Sequence, residues 1–285
     1  MNIEELHKKI LYPIVRVRTE KAGGSGSVIF SKVNPKNPEE YQSFVMTCEH
    51  VIDDAITVKE KEWDSTAKKK IDKEYLQQVT VELFDYVYLS KVNSANAIKA
   101  DIVAYDKEHD IAILKLDSPK KVEYTANIIP KDKIKDIKLF SETETSGCSL
   151  LHDPFSNQGR ITSLSEMIEN KLYYMGNGNS IFGNSGGAVF LAETGEQIGI
   201  TARITAMQLG FGMDIITWMG FFVAPQRLYE FFDAQELKFL YDPSDTYEAA
   251  MKRRERKQKE AMLQRKSEDD DKNGYKKNEF NDRST

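Results

Sequence analysis

Three residue types in this chain have the makings of covalent chemistry. Ser185 stands in Gly183-Asn184-Ser185-Gly186-Gly187, between the polar run Gly176 to Ser180 and the apolar run Ala188 to Leu191. Glycines on either side of a serine let the chain reach positive φ and bring backbone N–H groups close to a reacting atom. Such a loop can hold a hydroxyl on one side and an oxyanion-binding pair of N–H groups on the other. His50 closes Thr47-Cys48-Glu49-His50 after an apolar stretch, and Asp110 opens Asp110-Ile111-Ala112-Ile113-Leu114. A serine hydroxyl is a weak nucleophile at neutral pH. It needs a base in hydrogen-bond reach, and that base needs a third group to fix its tautomer and stabilise its charge. Taken singly, the serine motif reads as a tight turn before a strand, His50 as a strand-end histidine and Asp110 as a turn residue. Together, in the chain order His, Asp, Ser, they read as a catalytic triad for acyl transfer.

These three blocks resemble the T-A-A-H, D-I-A-L-L and G-(D/N)-S-G-G blocks of trypsin-like serine proteases. Smaller matches are similar to the bacterial HtrA (Deg) branch: Gly24-Ser25-Gly26, Asp153-Pro154-Phe155 and Gly220-Phe221-Phe222-Val223-Ala224-Pro225. The likeness runs from about Pro13 to about Phe232. It implies a serine endopeptidase with catalytic His50, Asp110 and Ser185, working through an acyl-enzyme, with the N–H groups of Gly183 and Ser185 facing the oxyanion. The alternative is a catalytically weak or inactive protease-like module used for binding or scaffolding. An esterase of another fold is disfavoured because the order of the three residues, His, Asp, Ser, differs from the order Ser, Asp, His of that fold.

To position such residues the resemblance calls for an all-β architecture of two six-stranded antiparallel barrels, with a short N-terminal helix and a charged C-terminal tail. The expected boundaries are 1–120 for the barrel carrying His50 and Asp110, 121–136 for the linker, 137–240 for the barrel carrying Ser185, and 241–285 for a helical or disordered tail. Ile3, Leu6, Ile10 and Leu11 at helical spacing predict the short helix, closed by Pro13. Alternation predicts strands at 14–18, 27–30, 43–47, 79–90, 98–105, 111–116 and 137–140, among others. The charge-dense stretch 53–78 reads as a solvated surface insertion.

The resemblance also assigns a substrate pocket. Asn179, six residues before the serine, falls at its base, Ile204 and Gly220 on its walls, and Ala202 on the strand that pairs with substrate. With no fixed anion at Asn179, a small or medium uncharged residue is expected before the cut. The apolar segment Met207, Leu209, Phe211, Met213, Ile215, Ile216, Trp218, Met219 reads as core packing or an oligomer contact. Two departures stand out. Ala202 occupies a position where relatives have a hydroxyl bonded to the triad aspartate, which leaves Asp110 short of one partner. Asn184 carries no charge, so activation by a newly cut amino terminus at Ile14 is not expected.

Composition narrows the remaining choices. A net charge of −5 over 285 residues gives no general attraction to nucleic acid or anionic membranes. The basic run 252–266 is followed at once by Glu268-Asp269-Asp270-Asp271. Four scattered histidines and the two distant cysteines, Cys48 and Cys148, have no metal-ligand spacing, so neither a metal nor any other cofactor is expected. Two cysteines, a charged amphipathic start and no long apolar run predict a reduced, cytoplasmic setting without a membrane span or an appended PDZ module. The expected partner is a protein or peptide substrate. Composition does not give the oligomeric state.

Overall fold

Most segments in which β-branched and aromatic residues alternate fold into strands. The computed structural model describes residues 1–64 and 69–261 and separates into two units, one of residues 1–57 and 76–232, the other of 58–75 and 233–285.

In the first unit, helix α1 (Ile3–Leu6) starts at a capping box, with Asn2 accepting from Glu5 N–H and Glu5 accepting from Asn2 N–H. A single wide helical turn, His7–Leu11, carries it into the core, where Ile10 and Leu11 are buried. Strands β1 (Ile14–Arg18), β2 (Gly23–Asn34) and β3 (Asn37–Thr47) follow. Next in the chain come β4 (Ile56–Asp64) and β5 (Lys69–Leu76), then β6 (Val79–Tyr88), β7 (Lys91–Asp106) and β8 (Ile111–Leu116). A closed barrel of order β1-β2-β3-β8-β7-β6 results. Its filling includes Val17, Val28, Val45, Val81 and Leu114, all shut off from solvent. Each such side chain contributes roughly 1.5–3 kcal/mol of transfer free energy.

The second set is β9 (Asn127–Ile128), β10 (Glu142–Gly147), β11 (Phe155–Ile168), β12 (Lys171–Gly176), β13 (Ala188–Leu191), β14 (Glu196–Leu209) and β15 (Gly212–Val223). They pair in the order β13-β10-β11-β12-β15-β14, and β14 pairs back to β13, so the ring of six closes; β9 adds in parallel to β14. Ile161, Tyr174, Val189, Ile198 and Phe222 fill it. A further cluster, with Ile14 and Phe84 on one side and Cys148, Ala188 and Phe190 on the other, joins the two sets of strands. Helix α2 (Pro225–Ala234) then buries Leu228, Phe231 and Phe232.

The described part of the second unit contains the β4–β5 hairpin and a helix over 247–261. Ala250 is buried, and the Arg253 guanidinium donates to Glu236 and to both oxygens of Asp245 at 2.5–2.9 Å. That helix is therefore anchored by its charged side chains. The expectation for 262–285, like that for 65–68, lies outside the described residues.

Other expectations need correcting. Residues 137–140 form no strand: Ile137 turns inward to the core while Leu139 and Phe140 are exposed, because the pairing edge begins only at Glu142. The charged stretch expected as a solvated surface insertion contains the mostly exposed β4–β5 hairpin. The apolar segment after Ile204 is not core. It forms the outer β14–β15 ribbon, where Met207, Leu209, Phe211, Met213 and Trp218 are exposed. Strand alternation alone did not give this away, because both faces of that ribbon carry apolar residues.

Candidate active site

Three local structures bring the sequence-predicted residues to one cleft. His50 ends β3 through a short helical turn, Glu49–Val51, whose preceding residue Cys48 is extended. Asp110 sits in the turn between β7 and β8 with φ +56°, the left-handed region that short polar side chains tolerate. That turn is built by Asp106, whose Oδ1 accepts the N–H groups of Glu108 (2.7 Å) and His109 (3.1 Å). It is also gripped from α2. The buried Arg227 guanidinium donates to the carbonyls of Glu108 (3.1 Å), His109 (2.8 Å) and Leu172 (3.2 Å) and lies over the Tyr173 ring.

Asp110 consequently faces His50. His50 Nδ1 lies 2.9 and 3.0 Å from the two carboxylate oxygens, and His50 N–H donates to Oδ1 at 3.1 Å. With Nδ1 engaged in this way, Nε2 is left for the cleft. Partial burial pulls the imidazole pKa down. The Asp110 hydrogen bond and charge, with Glu49 and Asp53 adding to them, more than offset this, so the net shift is upward. His109 does not compete, since its ring turns to Asp106 (3.1 Å) and Glu230 (3.9 Å).

Ser185 lies in a loop braced on every side. Gly183 (φ +91°) and Gly186 (φ +83°) take backbone conformations closed to most residues. A Cβ at Gly186 would also stand 2.2 Å from both Ser25 O and Thr47 Oγ1. Ser25, in the Gly24-Ser25-Gly26 strand, is the chief brace. Its N–H donates to Ser185 O (2.8 Å), its hydroxyl donates to Gly183 O (2.6 Å), and the same oxygen accepts from Cys148 N–H (2.7 Å). Asn184 is buried, and its side-chain oxygen accepts from the Ser149 hydroxyl, a neutral contact in keeping with its lack of charge. Phe182 O accepts from Leu150 N–H at 2.8 Å. In a trans peptide the N–H points opposite to the C=O, so this bond turns Gly183 N–H away from Leu150. Among the described residues, neither Gly183 N–H nor Ser185 N–H has an acceptor within the chain.

His50, Gly183, Ser185, Ala202 and Ile204 line one cleft of about 400 Å³. Within it the Ser185 hydroxyl and the imidazole are not hydrogen-bonded in this resting geometry. Such contacts commonly tighten only when substrate arrives. Gly220 lines a smaller cavity beside this cleft. Asn179, expected at the pocket base, is instead exposed, and its carbonyl accepts from the Asn157 amide; the neighbouring Ser180 turns inward. A one-residue offset on an extended segment exchanges the inner face for the outer one.

Residues 24–200 match the family model of the trypsin-like peptidase domain. The chain belongs to that family. No curated protein matches it significantly. The family supports a serine-protease type of hydrolase whose substrate is a peptide, on an all-β fold of the chymotrypsin kind. Among the described residues of this peptidase domain, no helix is long and apolar enough to cross a membrane.

Sequence reasoning missed two parts of the peptidase site. Ser25 was noted only as part of a motif, although a serine between two glycines just ahead of an apolar strand was the available signal. Cys48 was set aside for want of metal-ligand spacing, yet its Sγ, His50 Nδ1 and an Asp110 oxygen lie within 4.8 Å of one another. Cys48 is fully buried and donates to Thr201 O at 3.2 Å. Burial, then the Asp110 charge, push its thiol well above the ordinary range, so it stays protonated. A metal would need the thiolate. The arrangement therefore suits a hydrogen-bonding thiol beside Asp110, near the position where Ala202 supplies no hydroxyl.

Proposed function

We propose that this protein is a serine endopeptidase in which Ser185 is the nucleophile, His50 the general base and then acid, and Asp110 the group that orients and stabilises the imidazole. The observation that carries this reading is the His50–Asp110 pair, 2.9–3.0 Å apart, opening onto the same cleft as a serine flanked by two N–H groups without acceptors. In the first step the Ser185 oxygen attacks the scissile carbonyl carbon while His50 Nε2 takes the hydroxyl proton. The carbonyl oxygen gains the displaced electron pair, and the N–H groups of Gly183 and Ser185 receive it. Collapse expels the amine, which leaves with the proton from His50. Water, deprotonated by the same ring, then attacks the acyl-enzyme and returns Ser185 to its starting form.

Each donor to the oxyanion is worth about 3 kcal/mol in such sites. The asparagine before the nucleophile and its Ser149 contact fit a domain that reaches its working conformation without a cut at Ile14, which is buried in β1. The test is hydrolysis of an unfolded protein substrate, followed by mass spectrometry of the fragments. Wild type should yield peptides, and Ser185→Ala and His50→Ala should not. Equal fragment yields from wild type and Ser185→Ala would overturn the assignment.

A further inference from the structure

Beside Ser185 the cleft ends in two buried hydroxyls, those of Ser180 and Thr201. Ser180 is 1% and Thr201 4% exposed, and among the described residues neither Ser180 Oγ nor Thr201 Oγ1 has a hydrogen-bond partner. Both residues line the cleft that contains His50 and Ser185, and both also line the adjoining cavity of about 10 Å³, with Thr145, Gly178, Gly220 and Phe222 around it. Their backbones are pinned. Ser180 N–H donates to Thr217 O (2.8 Å), Thr201 N–H donates to Gly187 O (2.8 Å), and Thr201 O accepts from Gly186 N–H and the Cys48 thiol. The backbone at both positions is thus held in place. A buried polar group left unpaired is costly, and in native proteins it usually marks the place of a water or a ligand.

We infer that Ser180 and Thr201 form the floor of the primary substrate subsite, and that it takes an uncharged side chain able both to donate and to accept, namely Asn, Gln, Ser or Thr. This rests on the peptidase reading above and deepens it. Gly178 and Gly220 keep the entrance clear, since a Cβ on Gly178 would meet Thr145 Oγ1 at 2.9 Å and one on Gly220 would meet Ser180 Cβ at 3.3 Å. The inner cavity has room for about one water molecule or the tip of a side chain. Two hydroxyls, each able to donate and to accept, match a carboxamide, which has an oxygen to accept and an NH₂ to donate. None of the residues around the inner cavity is charged. Arg203, in the outer cleft, is already paired with Glu169 at 2.7 Å. A carboxylate or ammonium would therefore enter without a counter-ion. An aliphatic side chain would fill space but leave both hydroxyls unpaired. A site of this kind discriminates against the isostere that lacks the polar group.

The experiment separates pocket from chemistry. Acetylated tetrapeptides ending in Asn or Leu, and in Gln or Met, are titrated into Ser185→Ala by NMR, so that binding is read without turnover. The Asn and Gln peptides are expected to bind about tenfold tighter than their apolar isosteres, the worth of one good hydrogen bond. Adding Ser180→Ala or Thr201→Val should bring that ratio close to one, and Thr201→Ser should keep it. Equal or tighter binding of the Leu and Met peptides, or a ratio untouched by both substitutions, would overturn the inference. Labelling of wild-type Ser185 by a fluorophosphonate is measured alongside. Labelling without the amide preference removes this inference and leaves the peptidase reading standing; the preference without labelling does the reverse.

Discussion

Replacing Ser25 with alanine should damage both the stability and the activity of this protein, although Ser25 touches no substrate in the mechanism above. The side chain is wholly buried and its one oxygen serves two partners, donating to Gly183 O at 2.6 Å and accepting from Cys148 N–H at 2.7 Å. Alanine removes both bonds. Cys148 N–H is then a buried donor without its acceptor, a loss of about 1–3 kcal/mol, and the bond to Gly183 adds about 1 kcal/mol. The sum is about 2–4 kcal/mol. The alanine backbone can still donate its N–H to Ser185 O, so the strand should stay in place while the peptide after Gly183 loses its tether. Urea unfolding followed by fluorescence should show a lower midpoint at unchanged slope, which is the sign of a native-state loss. Peptide hydrolysis should show kcat reduced by about tenfold to a hundredfold with KM little changed, because the disturbed N–H groups act on the transition state rather than the ground state. A stability within about 0.5 kcal/mol of wild type together with unaltered kcat would refute this role for Ser25.

Three further perturbations follow from the same geometry. Neutral His50 is the active base, so kcat/KM should rise with pH through an acid limb lying above the ordinary histidine value. In Asp110→Asn the largest upward influence is gone, so the limb should move to lower pH while kcat falls by about 10⁴; a pH–rate profile measures both. Arg227→Met should cost about 2–4 kcal/mol in urea unfolding, because three carbonyls lose a charged donor, and should lower kcat by loosening the turn that carries Asp110. Gly186→Ala forces a Cβ against Ser25 O and Thr47 Oγ1 at positive φ, so circular dichroism should report a loss of about 3 kcal/mol or more, or failure to fold.

The sequence carried much of the site because the chemistry demands particular residue types. Ser185 between glycines, a histidine ending one strand and an aspartate opening another are legible without coordinates. The strands were legible where alternation was clear, as in β1, or where an apolar run was nearly unbroken, as in β8. What failed to read was geometry set by long-range contacts. Nothing local marks Arg227 as the clamp on residues 108 and 109, more than a hundred positions away, or Cys48 as a neighbour of Asp110 rather than an isolated thiol. Asn179 and Ser180 differ by one step in the chain, and only the pairing of Ser180 N–H with Thr217 O decides which faces inward. The outer β14–β15 ribbon misled for the opposite reason. Its Met, Leu and Phe residues look like core, but no second layer covers Phe211 among the described residues.

The central claim is that Ser185 is made nucleophilic by His50 held on Asp110. Its most direct measurement is the intact mass of the protein after exposure to a fluorophosphonate, with the adduct mapped by peptide sequencing. A single adduct on Ser185, absent from Ser185→Ala and strongly slowed in His50→Ala, is the expected result. No adduct on the wild-type protein, or one equally fast without His50, would contradict it.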